Sequence, residues 1–340
     1  MQDTARESYD ALLVLSFGGP EQPDDVLPFL ENVTRGRNVP RDRLLAVAEH
    51  YYHFGGKSPI NEQNRALIGA LAREFERHGP RLPIYFGNRN WHPLLPDTLR
   101  QMAAEGVRRA LVFFTSAFSS YSGCRQYREN IEAAQCEVGS QAPQIDRLRN
   151  FFNHPLFIET MSERVSQALE QIPTERRAKA FLVFTAHSIP LGMAQNSQYE
   201  AQLREASRLV AESFVGHSWR LAYQSRSGPP SQPWLEPDIG DALRELAGQG
   251  IKDVVVVPIG FVSDHLEVLY DLDYEARQLS EELGLIMVRA GTAGDHPKFV
   301  AMIRELVLER VEPGHPRRAV GAFGPNHDVC PADCCLLPRR

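Results

Sequence analysis

The chain has 340 residues, 43% of them hydrophobic and 24% charged, which excludes disordered and fibrous proteins. Lys+Arg number 37 against Asp+Glu 43, and a net charge of −6 argues against a nucleic-acid partner. No apolar run reaches the roughly 18–20 residues of a transmembrane segment, and the polar first ten residues lack the features of a secretory signal. A cytoplasmic protein with reduced thiols is expected.

Along the chain, short apolar runs alternate with longer amphipathic ones. Strands are expected at 11–17, 83–87, 109–114, 180–185, 220–224, 253–259 and 285–289. Helices are expected at 24–33, 61–78, 96–105, 127–134, 158–171, 199–214, 239–248, 264–283 and 297–311. This alternation predicts βαβ units and parallel sheets, with strands apolar on both faces. Residues 106–118 and 250–262 echo each other: a glycine, polar residues, an apolar strand, then a small or aromatic loop. Two similar Rossmann-like α/β domains are therefore expected, at 1–150 and 151–312, followed by a cysteine-rich tail at 313–340. The last helix is expected to cross back onto the first domain. The site is placed in the cleft between domains, beyond the carboxyl ends of the strands.

The segments at those ends are 16–20, 116–127, 185–190, 224–230 and 261–267. Gly18-Gly19-Pro20 has neither a G-x-G-x-x-G pattern nor a Walker lysine, so it reads as a tight turn. His187 follows a strand and can accept a proton or bind a metal; the plainer reading is a histidine satisfied by loop carbonyls. Glu267, Asp271 and Glu275 recur every four residues, without the usual cationic partners, although a solvated acidic face is the common case. In an α-helix this row would curl by about 40° per step; a local π-turn would align it better. Clustered carboxyls raise one another's pKa and can pass protons or escort a dication.

Arg35, Arg37, Arg41 and Arg43 precede Tyr51, Tyr52 and Phe54. In a loop, such residues suit a planar apolar ligand with carboxylate arms, or form a basic surface turn. Cys330, Cys334 and Cys335 are one thiolate short of a tetrathiolate site, which Cys124 could complete. An iron–sulfur cluster, a zinc site using His327, and unliganded thiols are the three readings.

Taken together, these segments resemble the ferrochelatases, which insert ferrous iron into a porphyrin. The carriers are LSFGGP at 15–20, GGKSPI at 55–60, GNRNWHP at 87–93, YSGCRQY at 121–127, TAHSIP at 185–190, YQSRSG at 223–228, PWL at 233–235 and GFVSDHLEVLYD at 260–271. The resemblance implies the chelatase fold, two Rossmann-like domains with parallel four-stranded sheets. It implies catalysis by His187 and Glu267, a metal path of His187, Glu267, Asp271 and Glu275, and porphyrin contacts from Phe17, Arg35, Ser58 and Tyr127. It further implies a [2Fe–2S] cluster on Cys124, Cys330, Cys334 and Cys335. The C-x₃-C-C tail is tighter than the related pattern, which makes Cys136 the spare ligand. Phe17 stands where some coproporphyrin-type members have tyrosine, so no axial contact is expected from it.

His187 and Glu267 are expected to face each other from different halves of the molecule, across a slot wide enough for a tetrapyrrole. The expected activity is insertion of Fe²⁺ into coproporphyrin III in haem biosynthesis by a monomer or homodimer. The competing readings are a protoporphyrin IX ferrochelatase, a cobalt or nickel chelatase for a sirohydrochlorin-like ring, and a non-catalytic haem carrier or iron–sulfur sensor.

Overall fold

A computed structural model describes residues 8–229 and 231–337. The first seven residues of the polar N-terminus, Pro230 of the 224–230 segment and the last three tail residues lie outside the described residues. Eight strands form two separate parallel sheets of four among the described residues. The first sheet comprises β1 (Ala11–Ser16), β2 (Ile84–Asn88), β3 (Arg109–Phe114) and β4 (Gln144–Arg147), in the order β2-β1-β3-β4. The second comprises β5 (Phe181–His187), β6 (Trp219–Gln224), β7 (Asp253–Val257) and β8 (Ile286–Arg289), in the matching order β6-β5-β7-β8.

The central strands β1 and β7 are buried at every residue, because helices cover both faces of each sheet. The last helix, Pro297–Val311, packs against Ile60–His78, beside the first sheet, and Pro155–Leu169, beside the second, so it bridges the two. Its Glu309 accepts from buried Arg149 at 2.7 and 2.8 Å. Breaking such a desolvated pair costs more than making it gains. Beyond this helix, Arg149 Nη2 donates to the Arg318 carbonyl. Asn153 Nδ2 donates to the carbonyls of Val320, Phe323 and Gly324, and Glu205 accepts from the Ala322 amide. These contacts hold the tail as an ordered strap without regular secondary structure.

Three local expectations are corrected. β4 was not expected, because it is a short edge strand whose sequence, QIDR, lacks an apolar run. The 41–53 stretch is a helix, Arg41–His53, so the arginine-rich turn shrinks to 34–40, where Gly36 and Asn38 take positive φ. β5 runs on to His187, which therefore sits within the strand rather than after it.

Candidate active site and thiol centre

The end of β5 fixes His187. Its backbone carbonyl accepts from the Tyr199 hydroxyl at 3.0 Å. Its Nδ1 lies 2.5 Å from the Ser188 carbonyl, which can only accept, so Nδ1 carries a proton and the neutral ring has its lone pair on Nε2. Nε2 lies 3.6 Å from Glu267 Oε2. Both groups therefore come from the second half of the chain and sit side by side, which corrects the expectation of a pair facing across the cleft from different halves. The reason is topological: β5 and the segment after β7 belong to neighbouring strands of one sheet.

The acidic row follows. Helix Leu266–Val268 continues into a π-helix, Leu269–Ala276, and then into helix Arg277–Glu282. Asp271 is flanked in charge by both Glu267 and Glu275. Burial, reinforced by these two neighbours, pushes its carboxyl from 3.8 up to about 7. Ser225 Oγ and Gln224 Nε2, at the end of β6, donate to Asp271 Oδ2 and pull the other way. Ser225 holds this position at φ 62, in the left-handed region unusual for serine. Glu275 is also raised, by burial and by Asp238.

The first half supplies an aromatic wall. Phe17, after β1, is 38% exposed and meets Phe29 edge-on, and Phe29 in turn contacts Tyr51 and Trp91. Leu266, beside Glu267, packs into this same cluster. His50 stacks flat on Tyr270 of the π-helix at 3.7 Å, and His53 lies 4.3 Å from Tyr274. These contacts bring the wall of the first half onto the acidic helix of the second.

Arg89 sits with its guanidinium 4.3 Å from the Tyr127 ring and 5.7 Å from Phe17. It is anchored by Asn130 Oδ1 at 2.7 Å. Exclusion of water lowers its pKa. Tyr127 is buried behind it. Arg35 is exposed in the 34–40 turn. Ser58 is 3% exposed, and a Cβ on Gly19 would come within 2.7 Å of it, so Gly19 is required by close approach. Sequence reasoning gave no role to Arg89, Gln224, Ser225 or His50. Arg89 was visible only as a cation at a strand end between glycine and tryptophan, while the others depend on contacts remote in sequence.

A second constellation lies at the far side of the Tyr121–Arg125 π-turn. Cys124, Cys330 and Cys335 share hydrogen-bonding distance, and the Cys334 and Cys335 sulfurs are 3.5 Å apart. His327 lies with Cys330 and Cys334 inside a 4.8 Å group of potential ligand atoms. Hydrogen bonds from Cys330 and Cys335, aided by the Arg147 charge, hold the Cys124 thiol well below the ordinary thiol range. The same bonds, with burial, push Cys330 and Cys335 up. Arg125 donates to the carbonyls of Ala332 and Cys334, clamping the tail onto the turn. Cys136 is exposed on helix Gln126–Val138, roughly 15 Å further along the axis, and stands apart from the group.

Comparison with known proteins identifies the pattern. The family model described as ferrochelatase matches residues 9–311. The chain is 60% identical over 334 residues to a ferrochelatase of Rhodopirellula baltica, covering 98% of this chain and 95% of that one. It is 56% identical over 343 residues to a coproporphyrin III ferrochelatase of Frankia alni, covering 97% and 87%. Among solved structures it resembles SirB from Bacillus subtilis with Fe³⁺, with a TM-score of 0.57, 10% identity, and coverage of 92% and 99%. That last likeness shows the shared chelatase fold.

Proposed function

The chain belongs to the ferrochelatase family and is an enzyme of haem biosynthesis, and we propose that it inserts Fe²⁺ into coproporphyrin III at the His187–Glu267 site. The observation that carries the assignment of the site is the 3.6 Å approach of His187 Nε2 to Glu267, backed by the raised carboxyls of Asp271 and Glu275.

Metallation must remove both pyrrole N–H protons and strip water from the incoming iron. His187 Nε2 accepts one proton, and its Nδ1–H, held on the Ser188 carbonyl, keeps the tautomer and ring fixed as charge develops. Glu267, half-exposed beside it, receives the other proton or meets the metal. Asp271, near half-protonation at neutral pH, carries charge along the π-helix toward Glu275 without a large free-energy step. Phe17, exposed and backed by the buried Phe29 and Tyr51, offers the ring that would contact the flat macrocycle.

The choice of a four-propionate ring is supported by three arginines that have no carboxylate partner among the described residues. Arg35 and Arg37 lie exposed in the 34–40 turn, and Arg37 adds its charge beside Arg89. It is supported as well by the coproporphyrin III relatives. Anaerobic iron insertion with both porphyrins tests it: kcat/KM at least 10-fold higher for coproporphyrin III is expected. A preference for protoporphyrin IX would assign the other substrate.

The four clustered sulfurs of Cys124, Cys330, Cys334 and Cys335 fit a [2Fe–2S] cluster, for which four thiolates and a compensating cation are the donor chemistry. When bound, it supplies a one-electron couple and a clasp between tail and π-turn. Elemental analysis separates it from zinc on Cys330, Cys334 and His327. The cytoplasm fits a chain that carries an exposed free thiol at Cys136. Among the described residues no helix is long and apolar enough to cross a membrane.

A further inference from the structure

Arg147 closes β4 and points its guanidinium into the thiol group. Its Nη1 donates to Cys330 Sγ at 2.6 Å and to Cys124 Sγ at 3.1 Å. Its Nη2 donates to Asn150 Oδ1 at 2.8 Å, and Asn150 is held in turn by the Ser119 hydroxyl at 3.2 Å. The Nε is buried and meets no acceptor among the described residues. None of the partners of this cation is a carboxylate, which is an unusual situation for a half-buried arginine. Two of its three acceptors are sulfurs.

We infer that Arg147 is the residue that sets the reduction potential of the centre, by donating hydrogen bonds and positive charge to two of its ligand sulfurs. The inference rests on the [2Fe–2S] reading. A [2Fe–2S] centre with four thiolates is a dianion when oxidised. It becomes a trianion when one ferric ion takes one electron from an external one-electron donor. A fixed cation on the sulfurs favours the more negative form, as do N–H···S bonds. Arg147 therefore raises the potential, and Asn150 does so indirectly by holding the guanidinium in place. A role limited to supporting the tail would leave the potential unmoved, because Arg125 already clamps the tail carbonyls.

The test uses the full chain purified without oxygen. Iron and acid-labile sulfide are counted in the wild type, Arg147→Gln, Arg147→Lys and Asn150→Ala. Each is titrated with dithionite against a reference electrode, with the reduced centre followed by electron paramagnetic resonance. The expected result is a midpoint shifted negative in Arg147→Gln, less so in Arg147→Lys and Asn150→Ala, at wild-type iron and sulfide content. An unmoved or positive midpoint in Arg147→Gln at full content overturns the inference. If that variant loses its centre, Arg147→Lys decides in the same way. A wild type without iron and sulfide overturns the cluster reading itself, a result distinguishable from either.

Discussion

The two π-helical segments occupy matching places in the two sheets, and they do opposite things with charge. Tyr121–Arg125 follows β3, and Leu269–Ala276 follows β7, the corresponding strand of the second sheet. Both widen the helix at the carboxyl end of a central strand, where the fold exposes side chains to a cleft or groove. In the first segment Cys124 is met by the Arg147 cation and by thiol donors, and its pKa falls. In the second, Asp271 is met by burial and two more carboxyls, and its pKa rises. The first surroundings favour a resident anion. The second keep a proton exchangeable at neutral pH and leave a deficit of positive charge that an incoming dication can relieve.

The largest effects should separate the two segments completely. Glu267→Gln should lower kcat for iron insertion by about 10²-fold or more while the visible absorbance expected of the proposed cluster stays. Cys124→Ser should remove that absorbance. A Glu267→Gln protein that kept wild-type kcat, or a Cys124→Ser protein that kept its colour, would break the distinction.

The strap that carries the three tail cysteines should fail next. Arg149→Met removes the buried partner of Glu309 and leaves only Arg317, at 3.7 Å, at an expected loss of up to about 3–5 kcal/mol in urea unfolding, whereas disrupting the exposed Arg41–Glu31 pair should cost less than about 1 kcal/mol. Equal effects from the two would remove the strap's anchoring role.

Stability against pH sharpens the acidic side. The folded pKa of Asp271 lies above its unfolded value, so its contribution is fully present below pH 3.8 and is lost as pH rises through about 7. Asp271→Asn mimics the protonated form and should gain at most about 4 kcal/mol over the wild type at pH 8, with the gain vanishing at low pH. In kinetics, wild-type kcat/KM should rise through an acid limb near pH 7 as Asp271 becomes a base, and that limb should be missing from Asp271→Asn. The smallest effect belongs to Ser225→Ala. It deletes a hydrogen bond to the carboxylate and should move the limb upward by less than about one pH unit. A downward movement would contradict the assigned hydrogen bond.

What could be read in the chain follows from how local the physics is. The buried strands, the strand–helix alternation repeated in the two halves and the four-residue acidic spacing are local patterns, and the alignment problem of that spacing already favoured a local π-turn, which the structure places at Leu269–Ala276. Arg147 was illegible because QIDR carries no strand signal, so nothing placed its guanidinium beside cysteines 183 residues away at Cys330. Helix Arg41–His53 was hidden by weak amphipathicity, its aromatics being spent on the Phe29 wall and on Tyr270 rather than on one face. The partnership of His187 with Glu267 within one half depends on β5 and β7 being neighbours, which spacing alone does not reveal.

The most direct measurement is anaerobic single-turnover insertion of Fe²⁺ into coproporphyrin III by the wild type and by His187→Ala, with porphyrin binding followed in parallel by fluorescence. His187→Ala is expected to bind the porphyrin normally and to metallate it at least about 10²-fold more slowly. Metallation at the wild-type rate without the imidazole would contradict that expectation.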